Sequence, residues 1–218
     1  MRIYLVRHGE SAGNVDKTVY QTVADHAVPL TDKGREQARA AGDWFSDYLG
    51  RVNGRTELTN YRVWVSPYDR ARQTADEFIS RVPEANIHDR REHLLLAEQQ
   101  FGALNDGEGD HVAQIKAAYK RDKDHGGRLF NRPWGGESRF DVCVRVHQMF
   151  GTLHRDAARH NINNLIIVAH GTTIRSIVMM WMHYDYEWFD TAGNPPNGSI
   201  QLIEYGNYRG YVHGGPKD

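Results

Sequence analysis

The sequence predicts an α/β fold in which strands and helices alternate, and three stretches carry that prediction. Ile3 to Val6 is a short apolar run that stops at Arg7-His8-Gly9, Asn164 to Ala169 is another that stops at His170-Gly171, and Arg62 to Val65 runs into Ser66-Pro67-Tyr68-Asp69-Arg70, where a helix opens. Open α/β sheets bind ligands in the crevice beyond the carboxyl ends of their strands, so side chains at such tips face a ligand and not a core. An Arg-His pair taken alone would equally fit a strand-end ion pair or a satisfied histidine. The second tip, with its own histidine followed by glycine, favours a site.

Each element follows in order. After Gly9, which permits a sharp turn, Ala12 to Pro29 is polar and aperiodic and reads as a loop. Asn14 is near enough to the tip of the first strand to reach a ligand, or else serves the turn. Thr31 caps a helix over Lys33 to Leu49, where Ala38, Ala41, Phe45, Tyr48 and Leu49 recur at helical spacing and form a face for the core. Arg51 to Tyr61 is a polar connection. At the second tip, Ser66 reads as a cap and Pro67 as the first residue of a helix that lasts to about Val82. Arg70 then sits in the first turn, where the helix dipole disfavours a cation unless a bound anion lies between them. A reach to Glu77 or Asp69 is the plain alternative.

From about Pro83 to Gly136 the alternation lapses, and the segment reads as an excursion built on the sheet. It opens with Leu94-Leu95-Leu96-Ala97, an apolar run ending in the carboxylate of Glu98. Asp110 to Lys123 suits a helix. The basic residues from Lys116 to Arg132 read either as a solvated face or, with the glycine- and aromatic-rich stretch Phe130 to Gly136, as a lid over an anionic substrate. Ser138 and Asp141 form a capping box, and Val142, Val146, Met149, Phe150, Leu153 and Ala157 make the longest clean helical stripe. The strand ending at His170 is followed by a helix from Ile174 to Met182, capped by Thr172 or Thr173. Ser199 to Tyr205 alternates as an edge strand does, and the tail from Gly206 reads as draped or mobile.

Composition bounds the function. The chain has 218 residues and a net charge of -1, which fits one domain with a sizeable core and gives no global field for nucleic acid or an anionic membrane. One cysteine, Cys143, fits a reducing compartment and packing in the core. Met1 leads almost at once into a strand and no apolar run reaches spanning length, so a soluble, cytoplasmic protein is expected. Twelve histidines invite a metal, yet they show no ligand spacing.

The run Leu5-Val6-Arg7-His8-Gly9-Glu10-Ser11 with Asn14, Ser66-Pro67-x-x-Arg70-Ala71-x-x-Thr74-Ala75, Glu98-x-x-Phe101-Gly102, Gly136-Glu137-Ser138 and Ala169-His170-Gly171-x-x-x-Arg175 resembles the histidine phosphatase superfamily, the phosphoglycerate mutase-like family. The resemblance implies a three-layer α/β sandwich with a mostly parallel six-stranded sheet and helices on both faces, carrying an inserted segment at about 83–136. It implies His8 as nucleophile, Arg7, Arg70 and His170 as holders of the phosphoryl group and Glu98 as proton donor. Substrate contacts are implied at Asn14, Ser11, Gly171 and Arg132, the last in a run with one extra glycine before Gly-Glu-Ser. Two arginines and a second histidine supply the positive charge that phosphoryl transfer needs, so neither a metal nor a cofactor is expected. The expected activity is a phosphomonoesterase on a small phosphorylated metabolite, with neither nucleic acid nor membrane as partner. A phosphoryl isomerase and a catalytically silent phospho-ligand binder are the rivals, and oligomeric state is not legible.

Overall fold

The computed structural model describes residues 1–52, 60–105, 107 and 109–216. Most of the polar connection after Arg51, and residues 217–218 of the tail, lie outside them. In chain order the elements are β1 (Arg2–Arg7), α1 (Ala12–Val15), α2 (Asp32–Val52), β2 (Tyr61–Val65), α3 (Asp69–Ile79), β3 (Ile87–Glu92), α4 (Asp110–Gly126), α5 (Arg139–His160), β4 (Asn164–Ala169), α6 (Gly171–Met182), α7 (Trp188–Thr191), β5 (Ile200–Glu204) and β6 (Asn207–His213).

The strands form one six-stranded sheet in the order β3-β2-β4-β1-β5-β6. Neighbours from β3 to β1 are parallel, and β5 is antiparallel to both β1 and β6, so β5 alone runs against the rest. β1, β2 and β4 are buried along nearly their whole length, which is why they read as continuous apolar runs. Side chains alternate between two cores. Tyr4, Val6, Val63, Val65, Ile166 and Val168 meet Ala41, Phe45 and Leu49 of α2 and Ala71, Ala75 and Phe78 of α3. On the opposite face Ile3, Leu5, Leu165 and Ile167 meet Val142, Val146, Met149 and Leu153 of α5 and Ile174, Ile177 and Val178 of α6. Burying each such side chain is worth roughly 1.5–3 kcal/mol, and the two faces together fix the period-2 register of the central strands.

Four expectations need correction. β3 begins at Ile87, inside the segment that reads as an excursion, and reads Ile-His-Asp-Arg-Arg-Glu because its charges are paired: Arg62 Nε lies 2.8 Å from Asp89 and Arg91 Nη1 2.7 Å from Asp156. Ser199 to Tyr205 contains no edge strand; β5 is interior, and the edge is β6, drawn from residues that read as a tail. α3 starts at Asp69 with no side-chain cap, two residues after the expected start. α6 starts at Gly171 directly from the strand, with Thr172 and Thr173 inside its first turn. Among the described residues no helix is long and apolar enough to cross a membrane.

Candidate active site

The sheet register builds the site. Arg7 pairs with Ala169 and Val65 with Val168, so the residues that follow, His8, His170 and Ser66, emerge side by side from three adjacent parallel strands. The backbone ladder continues one step past the strands: His8 N donates to Ala169 O at 2.9 Å and Ser66 N to Val168 O at 3.0 Å. The rings of His8 and His170 lie 5.1 Å apart, tilted by 58°. Gly9 must be glycine, because a Cβ there would come within 2.1 Å of Gly34 O where the turn crosses the start of α2.

His8 Nδ1 is 2.7 Å from its neighbour's carbonyl, Gly9 O. A carbonyl only accepts, which fixes the proton on Nδ1 and the lone pair on Nε2. Burial, then the guanidiniums of Arg70 and Arg7, push the His8 pKa well below its ordinary value and hold the ring neutral. His170 is lowered likewise, by burial and by Arg70 and His8. His170 Nε2 is 2.7 Å from Ser66 Oγ, while its buried Nδ1 makes no hydrogen bond.

A cavity of about 470 Å³ opens over these residues. Arg7, His8, Asn14, Arg70 and Glu98 line it. His170, Ser11 and Gly171 are buried beside it. Ser11 donates from N and Oγ to Asn14 Oδ1 at 3.0 and 3.1 Å, and Asn197 Nδ2 donates to the same oxygen at 3.1 Å, so three donors occupy the oxygen and turn the Asn14 amide by its acceptor. Gly171 packs against Asn194, whose Oδ1 would lie 2.1 Å from an added Cβ. Arg7 donates to Pro195 O. Arg70 reaches neither Glu77 nor Asp69; its Nη1 donates to Asp25 O at 2.6 Å and pairs with Asp25 Oδ1 at 2.9 Å, with the guanidinium 4.8 Å from the Tyr68 ring centre. Glu98 sits at the first turn of α6, where Thr172 N donates to Oε2 at 3.4 Å. Arg132 does not line the cavity: its guanidinium pairs with Asp141, the carboxylate of the α5 capping box, on the solvent side. Among the described residues no group of three His, Cys, Asp or Glu is placed to hold a metal.

The histidine phosphatase superfamily (branch 1) matches this chain over residues 3–214. The chain belongs to that superfamily. A phosphoglycerate mutase-like protein of Arabidopsis thaliana is 36% identical over 94% of this chain and 74% of its own length. A broad-range acid phosphatase of Saccharomyces cerevisiae is 25% identical over 93% of this chain and 84% of its own. In fold, a mycobacterial glucosyl-3-phosphoglycerate phosphatase, solved as a complex with VO3, superposes with a TM-score of 0.68 at 24% identity over 93% of this chain and 92% of that one.

The structure adds residues to the cavity that the sequence reading passes over, together with Arg128 from the basic run that reads as a solvated face or a lid. Lys17, Tyr20 and Asp25 come from the polar stretch after α1, Arg128 and Arg139 flank the glycine-rich turn before α5, and Asp190 and Asn194 follow α6. The last group is brought there by the sheet, in a direction the sequence does not reveal. β5 is antiparallel to β1 with Ile200 opposite Val6, so whatever precedes Ile200 must arrive at the tip that carries His8. The polar stretch after Gly13 offers no comparable period.

Proposed function

We propose that this protein is a metal-independent phosphomonoesterase that works through a phosphohistidine at His8. The observation that carries the reading is the His8 Nδ1–Gly9 O bond of 2.7 Å, which leaves Nε2 with its lone pair in a ring kept neutral by burial and two guanidiniums. Arg7, Arg70 and His170 cradle the phosphoryl oxygens and offset the charge that spreads over them in the transition state. Nε2 attacks phosphorus, the ester P–O bond breaks, and the leaving alkoxide takes a proton from the Glu98 carboxyl. Water then attacks the phosphohistidine, giving its proton to the Glu98 carboxylate; the N–P bond breaks and phosphate departs with His8 restored. Substrates on this reading are small phosphorylated metabolites, in keeping with the phosphatase names among the relatives. The inserted segment, which brings Glu98 and Arg128, belongs with the sheet in one functional domain.

The name of the Arabidopsis relative favours a second reading, in which the phosphoryl group returns to the substrate before water arrives. One experiment separates the two. Rapid-quench mixing with radiolabelled p-nitrophenyl phosphate should trap an acid-labile, alkali-stable phosphoenzyme on the native protein and none on His8→Ala, and product analysis should give free phosphate and no isomerised ester when a phosphoglycerate is supplied. A phosphoenzyme on His8→Ala sinks the nucleophile assignment; isomerisation outpacing phosphate release sinks the hydrolase.

A further inference from the structure

One wall of the cavity has no part in the chemistry just described. Arg139 and Arg175 share a single aromatic ring, their guanidinium carbons 5.6 and 4.5 Å from the centre of Phe189, which is completely buried. The Nη1 of Arg139 approaches the carbonyl of Arg128 at 3.5 Å, bringing that third arginine to the same wall, and the Nη1 of Arg175 is held by Ala192 O at 3.1 Å. All three line the cavity that contains His8. Like charges placed around one buried ring repel in a medium that screens poorly. The pKa of Arg175 shows the strain, lowered to about 10 by burial and then by Arg139.

Neighbouring carboxylates relieve this repulsion only from a distance: Asp190 and Glu98 act on Arg139, and Glu98 on Arg175, without an ion pair to any of the three arginines among the described residues. Of the three that line the cavity, Asp25 is taken by Arg70, Glu98 receives the Thr172 amide, and Asp190 is not within ion-pairing distance of any of these arginines. The Nε of Arg175 is buried without a hydrogen-bond partner. Arg132, which the sequence offers for substrate contact, is neutralised by Asp141 outside the cavity. Charge is therefore left over on one side of the substrate space, in planar groups suited to bidentate capture of an oxyanion.

We propose that Arg128, Arg139 and Arg175 form a second anion subsite, and that the substrates of this protein carry, besides the phosphate ester cleaved at His8, a second phosphate or a carboxylate. This inference rests on the phosphatase reading. Charge-assisted hydrogen bonds of this kind should favour a doubly anionic ester over its singly anionic counterpart by roughly tenfold to a hundredfold in kcat/KM.

The test is a series of α,ω-alkanediol bisphosphates and ω-carboxyalkyl phosphates of graded chain length, each compared with the alkyl monophosphate of the same length. The native protein should prefer at least one doubly anionic member by tenfold or more, and the preference should weaken steeply with salt. In Arg139→Gln, and separately in Arg128→Gln, where the side chain is exposed and the core is untouched, the ratio should collapse toward one. An equal rate on every matched pair, or a ratio that survives in both variants, overturns the subsite. A native protein that hydrolyses none of these esters overturns the phosphatase reading instead. Calorimetry with propane-1,3-bisphosphonate against propylphosphonate then decides the subsite alone, and equal affinities would refute it.

Discussion

Ser66 has a choice that its place in the sequence does not reveal. At the end of a strand and before a proline it suits a helix cap, yet its hydroxyl lies 2.7 Å from His170 Nε2 and α3 begins without it. If Oγ donates to Nε2, the His170 proton resides on Nδ1, the buried nitrogen that makes no other hydrogen bond, where it can serve a phosphoryl oxygen. Ser66→Ala should strip a buried nitrogen of its partner at a cost of about 1–3 kcal/mol in denaturant stability, and lower kcat/KM by on the order of tenfold by releasing the tautomer. Native stability together with native kinetics in that variant would mean that the contact does neither. At this scale the strand-tip motifs were legible because glycine, arginine and histidine follow apolar runs. Which arginine faces the cavity was not: Arg132 and Arg139 lie seven residues apart around one capping box, and only the position of Asp141 sends the first outward.

At the scale of elements, helices with regular stripes and capping residues were read with small errors in their ends, as α2 and α5 illustrate; in α2 the Gly34 amide donates to Thr31 Oγ1 at 3.0 Å, as a cap requires. The failures share a cause. β3 carries charges that partners on β2, α3 and α5 neutralise, and β6 contains a glycine at φ 75°, so neither shows the apolar alternation that marks a strand. Gly34 gives a sharp test of local against tertiary preference. Inside a helix, Gly to Ala is favourable by roughly 1 kcal/mol on propensity alone. Here a Cβ would sit 2.0 Å from the backbone oxygen of Glu10, on the turn that carries His8. Gly34→Ala should therefore destabilise the protein by about 2 kcal/mol or more and depress activity, read by urea melts and p-nitrophenyl phosphate turnover. A gain in stability would show that the turn and α2 can move apart freely.

For the whole molecule, the buried histidines set its tolerance of acid. His8 and His170 both have folded pKa values well below the ordinary 6.5. Below pH 6.5 the unfolded chain takes up protons on them that the folded chain refuses, so each removes up to about 1.4 kcal/mol of stability per pH unit until its folded pKa is reached. Above that pH these two groups contribute no slope. Unfolding free energies should accordingly fall between pH 6.5 and 5 and do so less steeply in His8→Ala; an identical slope in that variant would refute the linkage. By the same sign, His8 stays neutral and nucleophilic below 6.5, and the acid limb of kcat/KM should lie well under that value.

The pairing of β1 with β4, which sets His8 beside His170, joins Arg2 to Asn164. A ribosome delivers these partners far apart in time. Until β4 has left the exit tunnel, β1 lacks its central neighbour, and the phosphoryl pocket does not exist in any partial form, because its second histidine is still to come. An emerging chain thus leaves the apolar face of β1 without its central partner until Asn164 to Ala169 appears.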